Sequence, residues 1–331
     1  MNAVILAGGF GSRLKPLTDE TIKPMLPLCN APTIDYTVSH LVDFGINNVV
    51  FTLAHKPEQI IEWAVGYSDI SCRFSIETRP LGTAGGVKAA EKFLDDTFIV
   101  VSGDALEDID FAAMLHKHVA SNADVTIAVK YAENTSLYGV VETDAWGSIT
   151  GFKEKPAAGE TDSKLINCGV YMVNKSVLKL IPKHEKFDFA RDLFPLLLER
   201  GKMAAYIHDG YWCDIGDVKS YYKANYDVLH GGFFPVCRNS FRTNYASYRI
   251  GHSGSSVIAC DSTLVGNISH CIVGRRSKIS SGSMLENCIV MDNVTVKGRY
   301  MDSIIGNDFA MPVGYDVVGG RHLDSSEFVG N

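Results

Sequence analysis

The chain has 331 residues, of which 46% are hydrophobic and 21% are charged, and this composition is ordinary for a soluble globular protein. Its length is too great for one minimal domain and favours one large domain plus a smaller one. The net charge of −7 argues against a general nucleic-acid binder, which usually has a basic excess, but it allows an anionic small substrate held by a few local cations.

The amino end of the chain and its cysteines both favour the cytoplasm. The first apolar run is only five residues long. That is far short of the ~20 residues that span a bilayer, and no basic segment or cleavage site accompanies it. The eight cysteines form no C-x-x-C pair and no Cys/His cluster with zinc spacing, so we expect scattered, mostly buried thiols in a reducing compartment. We therefore expect a cytoplasmic protein without a membrane partner.

From residue 1 to about 228, short apolar runs alternate with amphipathic stretches. The runs are rich in β-branched residues and nearly continuous in apolar character, which is typical of strands buried on both faces of a sheet. The predicted strands are Ala3–Leu6, Asn48–Leu53, Arg73–Ile76, Thr97–Ser102 and Ala123–Val129. The predicted helices include Thr33–Phe44 and Ala84–Phe93. The alternation predicts an α/β domain with a largely parallel sheet over residues 1–228.

A glycine-rich turn, Ala7-Gly-Gly-Phe-Gly-Ser-Arg-Leu14, follows the first predicted strand. Glycines let a backbone approach an anion closely, and free amide N–H groups can point at its oxygens. The dinucleotide fingerprint would need glycine at Leu14, and the P-loop would need glycine at Arg13, so neither pattern is present. The turn is therefore a phosphate-binding loop of another type, or else a purely structural tight turn.

Two cations accompany this turn. Arg13 lies within it, and Lys23 opens the proline-stiffened segment Lys23-Pro-Met-Leu-Pro27. Both can converge on a triphosphate, since nucleotidyl transfer depends chiefly on positioning and on neutralisation of charge. The alternative for each is an ordinary solvated surface charge.

A second glycine-rich segment, Pro80-Leu-Gly-Thr-Ala-Gly-Gly86, follows the strand Arg73–Ile76. Its three glycines and two small residues leave room for a flat group such as a nucleobase to lie against the backbone. The alternative is a helix amino terminus with Thr83 as its cap, and both interpretations can hold together.

Two aspartates are candidate metal ligands. Asp104 ends the buried strand Phe98-Ile-Val-Val-Ser-Gly-Asp104, and the carboxyl end of a strand faces the ligand crevice of an open α/β sheet. Asp214 stands among aromatic residues and glycines in Gly210-Tyr-Trp-Cys-Asp-Ile-Gly216, which is unusual for a surface acid. Mg²⁺ prefers one or two carboxylates plus phosphate oxygens, so we predict that both aspartates bind Mg²⁺. Either one alone can instead be a turn or cap residue.

The pattern changes near residue 230. His230-Gly-Gly-Phe-Phe-Pro235 predicts a linker, which we place at 229–250. Beyond it, four similar tetrapeptides start 15, 17 and 15 residues apart; they are Ser256-Val-Ile-Ala259, Cys271-Ile-Val-Gly274, Cys288-Ile-Val-Met291 and Ser303-Ile-Ile-Gly306. With a six-residue step between apolar positions, this period predicts a solenoid of stacked short strands over 251–331, with a small β-sandwich as the alternative. The open edges of a solenoid must be covered, which predicts a homo-oligomer.

The stretch from Leu6 to Leu14, with Lys23-Pro24 after it, closely resembles the signature of the sugar-phosphate nucleotidyltransferases. The resemblance extends over the whole chain and is greatest to the subgroup of mannose-1-phosphate guanylyltransferases. It implies a Rossmann-like catalytic domain with a mostly parallel mixed sheet, a carboxyl-terminal left-handed parallel β-helix, and Mg²⁺ as the cofactor. The motifs are highly specific for the reaction class and only moderately specific for the base and the sugar.

The resemblance also implies roles for individual residues. It assigns nucleotide contacts to Leu6, Ala7, Gly8, Gly9, Gly11, Pro80, Gly82 and Thr83, catalytic roles to Arg13, Lys23, Asp104, Lys155 and Asp214, and sugar-phosphate contacts to Gly139, Glu154, Lys155 and Asn167. A carboxylate such as Glu154 can accept from two vicinal hydroxyls, and the ammonium of Lys155 can neutralise the attacking phosphate. Cys168 replaces the alanine or threonine common in the family, which implies a slightly different sugar pocket. The segment Phe187–Asp192 is similar to the guanylyltransferase subgroup, and its Arg191 is a further candidate for binding phosphate.

The implied reaction is an in-line attack of a sugar 1-phosphate oxygen on the α-phosphorus of a nucleoside triphosphate, with pyrophosphate leaving. GTP and mannose 1-phosphate are the expected substrates. Uridylyl, thymidylyl or adenylyl transfer to glucose 1-phosphate stays open, as does guanylyl transfer to a heptose 1-phosphate. Two other classes compete. One is an acyltransferase, although the solenoid histidines His252 and His270 have no obvious acid partner. The other is a non-catalytic nucleotide-sugar sensor.

Overall fold

The computed structural model describes residues 1–67, 70–157, 159–231, 248–250 and 256–313, with the backbone alone at 248–250. The strands in these ranges are β1 (Ala3–Leu6), β2 (Pro27–Leu28), β3 (Ala31–Pro32), β4 (Asn48–Leu53), β5 (Ser71–Ile76), β6 (Thr97–Ser102), β7 (Ala105–Glu107), β8 (Val125–Tyr131), β9 (Gly139–Thr143), β10 (Ile149–Glu154), β11 (Leu165–Asn174), β12 (Met203–Ile207), β13 (Trp212–Asp214), β14 (Tyr248–Ile250), β15 (Val257–Ala259), β16 (Thr263–Leu264), β17 (Asn267–Ser269), β18 (Ile272–Val273), β19 (Lys278–Ile279), β20 (Met284–Val290), β21 (Thr295–Val296), β22 (Arg299–Ile305) and β23 (Ala310–Pro312). The α-helices are α1 (Thr33–Asp43), α2 (Pro57–Val65), α3 (Gly82–Ala89), α4 (Phe111–Ala120), α5 (Phe194–Leu198) and α6 (Val218–Leu229). Short 3₁₀ helices span Ser12–Leu14, Lys23–Met25, Glu91–Phe93 and Lys175–Leu180, and a π-helix spans Phe189–Leu193. Within the described ranges, no helix has the length and apolar character needed to cross a membrane.

The chain folds into two compact units. Among the described residues, the first takes in Met1–Phe10, Thr21–Met25 and Tyr36–Asp214, and the second takes in Gly11–Glu20, Leu26–Asp35 and those from Ile215 onward. The division into domains 1–228 and 251–331 stays a prediction. Most of the predicted linker, 229–250, lies outside the described residues.

A nine-stranded mixed sheet forms the centre of the first unit. Its strand order is β10-β9-β11-β6-β1-β4-β5, and β8 pairs with both β11 and β12. β1 lies between β4 and β6 and is parallel to both, so Leu6, Thr52 and Ser102 are aligned at the carboxyl ends of three neighbouring strands. The predicted α/β fold is confirmed. The loops after these three strands share one edge of the sheet, which is where open α/β sheets bind their ligands.

The apolar runs predict the central strands well and the edge strand less well. β1, β4 and β6 have the predicted bounds and are almost wholly buried. The strand predicted at Ala123–Val129 is found at Val125–Tyr131. The strand β5 starts two residues before its predicted bound and contains only exposed and half-buried residues. The prediction that β5 is buried on both faces is wrong because this strand lies at the edge of the sheet, where fewer elements cover it.

The tetrapeptide repeats of the second unit pair with one another as parallel strands. Val257 pairs with Ile272, Ile272 with Ile289, and Ile289 with Ile304, so each tetrapeptide lies in register beside the next. A second parallel stack joins β16, β19 and β21. The side chains inside the stack, including the free thiols of Cys271 and Cys288, form a buried apolar core. This part of the chain is therefore a stack of short parallel strands, as the repeat predicts.

Helix α6 packs against this stack through tyrosine hydroxyls. Tyr222 donates to the carbonyl oxygen of Asn287 at 2.7 Å, and Tyr226 donates to that of His270 at 2.8 Å. Two hydroxyl bonds from successive turns of one helix fix its position on the stack, because each buried hydroxyl must find an acceptor.

Candidate active site

The glycine-rich turn after β1 is anchored on one side and open on the other. The N–H of Ala7 donates to the carbonyl oxygen of Thr52 at 3.1 Å. A Cβ on Gly8 would lie 3.4 Å from the Cβ of Ala54, whereas a Cβ on Gly9 would meet no described atom within 4 Å. The backbone at Gly9 is thus accessible to a ligand such as a phosphate, while the neighbouring residues hold the turn against β4.

The next part of the turn belongs to the second unit. Gly11 has a φ of +65°, a conformation that favours glycine, and its carbonyl accepts from the hydroxyl of Thr18 at 2.8 Å. Arg13 lies in the 3₁₀ helix Ser12–Leu14. Burial alone would raise the pKa of Asp217, but bonds from Ser220 and the positive charge of Arg13 lower it. The convergence of Arg13 with Lys23 on a triphosphate stays a prediction.

Lys23 and Asp104 form an ion pair in the first unit. The Nζ of Lys23 lies 2.5 Å from Oδ2 of Asp104, and their side chains are only 12% and 23% exposed. The hydroxyl of Ser102 donates to Oδ1 of the same carboxylate. Burial opposes ionisation of Asp104, but the charge of Lys23 and these hydrogen bonds outweigh it and lower the pKa of the carboxyl. The structure therefore brings together two predicted catalytic residues and keeps Asp104 anionic.

Asp214 lies on the strand beside the one that follows Asp104. β13 and β7 are antiparallel neighbours, and Asp214 pairs with Ala105, the residue after Asp104. Asp104 directly precedes β7 and Asp214 ends the neighbouring β13, and a pair of carboxylates suits a hard divalent cation that takes its other ligands from phosphate and water. Among the described residues, no group of three or more His, Cys, Asp and Glu side chains is gathered to hold a metal. Asp104 and Asp214 stay the predicted metal ligands.

The second glycine-rich segment begins α3, and contacts within the chain account for its glycines. Gly82 has a φ of +72°, and a Cβ there would lie 2.6 Å from the carbonyl oxygen of Phe187. A Cβ on Gly85 would lie 2.7 Å from the carbonyl oxygen of Glu185. The N–H of Gly85 donates to the carbonyl oxygen of Phe187 at 2.9 Å. At Gly82 and Gly85 the chain itself fills the space on the Cβ side, so close packing of the backbone explains these two glycines. Contacts of Pro80 and Gly82 with a nucleotide stay a prediction.

Thr83 does not cap α3. The helix begins at Gly82 with Leu81 in the N-cap position, which places Thr83 inside the first turn. The hydroxyl of Thr83 donates to Oδ2 of Asp188 at 2.9 Å and accepts from the N–H of Phe189 at 3.0 Å. The cap interpretation is therefore wrong. The part played by Asp188 was missed, and its only signal in the sequence is the motif Phe187–Asp192.

We expect Gly85→Ala to destabilise the fold by about 1–3 kcal/mol, because the new methyl group would overlap backbone that cannot move without breaking the bond from Gly85 to Phe187. Urea unfolding followed by circular dichroism measures the change. Gly9→Ala is the matched control, since its methyl group meets open space and should leave the free energy of unfolding nearly unchanged. Equal stabilities of the two variants would contradict this account of Gly85.

The predicted sugar-phosphate residues lie around β9 and β10. Gly139 pairs with Glu154, and a Cβ on Gly139 would lie 2.5 Å from Cζ of Phe152 and 3.0 Å from Oε2 of Glu154, so the missing side chain leaves space for the Phe152 ring and for that carboxylate. Lys155 follows directly with a φ of +51°, and its N–H donates to the carbonyl oxygen of Tyr138 at 3.0 Å. The Tyr138 ring meets the ring of Trp212 edge-on at 5.4 Å. Aromatic contact thus ties these residues to the strand that bears Asp214.

Asn167 and Cys168 lie on β11 at an irregularity in the register with β8. The amide of Asn167 donates to the hydroxyl of Tyr171 at 3.0 Å and accepts from the N–H of Gly169 at 2.9 Å. The indole N–H of Trp212 donates to the carbonyl of Cys168 at 2.8 Å. The Cys168 thiol is buried, and burial raises its pKa, so the thiol stays protonated near neutral pH.

The chain is similar to known proteins over most of its length. A family model described as "Nucleotidyl transferase" matches residues 2–231. The chain is 30% identical to a mannose-1-phosphate guanylyltransferase of Mycobacterium tuberculosis, over 90% of this chain and 81% of that one. It is 35% identical to a UTP–glucose-1-phosphate uridylyltransferase of Synechocystis over 69% of this chain, and it spans only 63% of that relative. The solved structure of HddC from Yersinia pseudotuberculosis has 30% identity and a TM-score of 0.60, covering 69% of this chain and 99% of that one.

Proposed function

Because the chain belongs to the nucleotidyl transferase family, we propose that it transfers GMP from GTP to mannose 1-phosphate, giving GDP-mannose and pyrophosphate. The observation that carries the proposal is the ion pair of Lys23 with Asp104, which lies at the carboxyl edge of the central sheet, with Asp214 on the next strand. A cation and two carboxylates near a glycine-rich turn are the groups that nucleotidyl transfer requires. The choice of guanine and mannose rests on the similarity to the Mycobacterium tuberculosis relative.

The reaction is a displacement at the α-phosphorus. An oxygen of the sugar 1-phosphate forms the new P–O bond, and the bond to the β-phosphate breaks, so that pyrophosphate leaves with the electron pair. Lys23 stabilises the negative charge that grows on the phosphates, while Glu154 and Lys155 hold the sugar hydroxyls and the attacking phosphate. No base has to remove a proton, because a phosphate monoester with a second pKa near ~6 is mostly dianionic at pH 7.

Enzymes of this family generally use a divalent metal. We propose that it is Mg²⁺ and that Asp104 and Asp214 hold it, since carboxylate and phosphate oxygens are its usual ligands. When bound, the ion supplies positive charge where the two anionic substrates meet. Lys23 contributes beforehand, because its ammonium keeps Asp104 ionised.

For the carboxyl-terminal part we propose a left-handed β-helix that mediates self-association. The 15–17-residue period and the parallel pairing of its strands support the coil. The exposed side chains of Leu264, Val265 and Met284 support an apolar contact with a second copy. The cytoplasmic location stays a prediction.

An acyltransferase is the less favoured class. Within the described stack, His270 Nδ1 lies 3.0 Å from the hydroxyl of Ser269, whereas the His of a catalytic acid–base pair is commonly oriented by a carboxylate. His252 and His322 lie outside the described residues.

A panel of nucleotides and sugar phosphates tests the proposed reaction. GTP, UTP, dTTP and ATP are each combined with mannose 1-phosphate, glucose 1-phosphate and a heptose 1-phosphate in the presence of Mg²⁺, and pyrophosphate release is measured. We expect kcat/KM to be highest for GTP with mannose 1-phosphate, by at least about tenfold. A higher kcat/KM for another pair of substrates would mean that the proposed base or sugar is wrong. Nucleotide binding without pyrophosphate release from any pair would favour the non-catalytic sensor.

A further inference from the structure

The segment Phe187–Asp192 packs against the amino end of α3. The N–H of Phe187 donates to the carbonyl oxygen of Leu81 at 2.8 Å, and the carbonyl of Phe187 accepts from the N–H of Gly85 at 2.9 Å. These two bonds resemble the pairing of neighbouring strands, and they place the backbone of Phe187 in the spaces left by the glycines. The start of α3 is therefore built on this segment and cannot shift without it.

The hydroxyl proton of Thr83 is committed to this contact. The hydroxyl donates to Asp188 and accepts from the N–H of Phe189, so it has no remaining proton with which to read a base. The other oxygen of Asp188 accepts from the N–H of Ala190 at 3.1 Å. The carboxylate of Asp188 is thus divided between α3 and the start of the π-helix Phe189–Leu193.

The same segment contacts the predicted sugar side. The ring of Phe189 lies 5.0 Å from the ring of Tyr171, centroid to centroid. The hydroxyl of Tyr171 in turn accepts from Asn167 at 3.0 Å. Contacts therefore run without a break from Thr83 through Asp188 and Phe189 to Asn167, linking the predicted nucleotide segment to the predicted sugar segment.

We propose that Asp188 is a positioning residue that sets α3 relative to β11, so that the base and the sugar phosphate are held in one geometry. The inference rests on the proposed function, which assigns Thr83 to the nucleotide and Asn167 to the sugar phosphate. Asp188 itself touches neither substrate. It acts through Thr83 on one side and through Phe189 on the other.

The exposure of this contact makes the proposal testable without unfolding the protein. Thr83 is exposed and Asp188 is half-buried, so their hydrogen bond competes with water and adds little to folding stability. A bound nucleotide beside α3 would exclude that water and strengthen the hydrogen bond between Thr83 and Asp188. Loss of the bond should therefore weaken substrate binding more than it weakens the fold.

Two single variants and their double variant measure the coupling. Thr83→Val removes the hydroxyl at nearly constant shape. Asp188→Ser keeps an acceptor for the N–H of Ala190 but is too short to reach Thr83. We expect each to raise KM for both GTP and mannose 1-phosphate about tenfold with little change in kcat, and the double variant to be no worse than either single one.

Matched controls separate positioning from a general loss of a hydrogen bond. Thr83→Ser keeps the hydroxyl and should restore KM. Thr97→Val removes a comparable hydroxyl bond, 2.9 Å from Thr97 to Asn174, at the amino end of β6 and so away from the edge of the sheet that bears the candidate site, and it should leave KM unchanged. Full additivity of Thr83→Val and Asp188→Ser, or a normal KM for both, would overturn the proposal.

Binding measurements keep this inference distinct from the reaction itself. The Kd for GTP is measured by calorimetry on the wild type and on each variant, without the second substrate. A wild type that binds GTP but releases no pyrophosphate would sink the proposed function, while the ratio of Kd values between Asp188→Ser and the wild type would still decide the role of Asp188. A ratio near one would sink that role even in a fully active enzyme.

Discussion

Replacing Lys23 with alanine is expected to lower kcat about 100- to 1,000-fold, because one positioned cation that stabilises developing charge is worth that much in a site shielded from water. The Nζ of Lys23 lies 2.5 Å from Asp104 and is largely buried, so its charge is screened little by solvent. Loss of the ammonium also leaves the Asp104 carboxylate with fewer partners, which should cost about 1–3 kcal/mol of unfolding free energy. A domain with a stability of about 5–15 kcal/mol stays folded after such a loss.

Rapid-quench measurement of pyrophosphate release with saturating substrates gives the kcat of the Lys23→Ala variant. Lys223→Ala is the matched control, since it removes a lysine from an ion pair with Asp227 on the surface of α6, where the lysine side chain is 53% exposed. We expect that control to retain its kcat, because exposed pairs contribute little. A Lys23→Ala enzyme with a kcat within threefold of the wild type would show that Lys23 only neutralises Asp104.

The features that the sequence predicts well are those encoded within a few neighbouring residues. The bounds of β1 follow from four apolar residues, and the glycines after it predict a turn whose backbone is open at Gly9. The register of the carboxyl-terminal stack follows from the spacing of the tetrapeptides, because a repeated unit pairs with its own copies. In each case a local pattern suffices, since the feature is set by a few neighbouring residues or by the next repeat.

The features that the sequence does not predict depend on contacts between distant residues. Lys23 and Asp104 were both candidates, but they are 81 residues apart, and nothing in either motif predicts that they form a pair. Thr83 and Asp188 are 105 residues apart. The function of a glycine is ambiguous for the same reason: the space beside Gly82 is filled by backbone that only the tertiary fold brings there. A small residue predicts that another group approaches its backbone closely, but that group can be a ligand or another part of the chain.

Replacing Asp104 with asparagine is expected to lower kcat at least about 100-fold and to raise the Mg²⁺ concentration needed for half-maximal rate. The substitution keeps the size of the side chain but removes one of the two carboxylate charges, that of Asp104 directly before β7, and leaves that of Asp214 on the neighbouring strand β13. It also leaves the ammonium of Lys23 without its anion, so two of the proposed charge effects are lost together. The effect on kcat should therefore equal or exceed that of Lys23→Ala, and the double variant should be little worse, as expected for groups that act as a unit.

The same variant has a pH signature that does not depend on turnover. The pKa of Asp104 is lowered from its ordinary value of 3.8 in the folded chain, so the carboxylate stabilises the fold above that value. This contribution is lost as the pH falls through the lower pKa of the folded state. The difference in unfolding free energy between the wild type and Asp104→Asn should therefore be constant near neutral pH and shrink below about pH 4. Urea titrations at a series of pH values measure it. A difference that stayed constant into strong acid would mean that Asp104 is not held ionised by Lys23, and the ion pair could not then be the charge arrangement on which the proposed reaction depends.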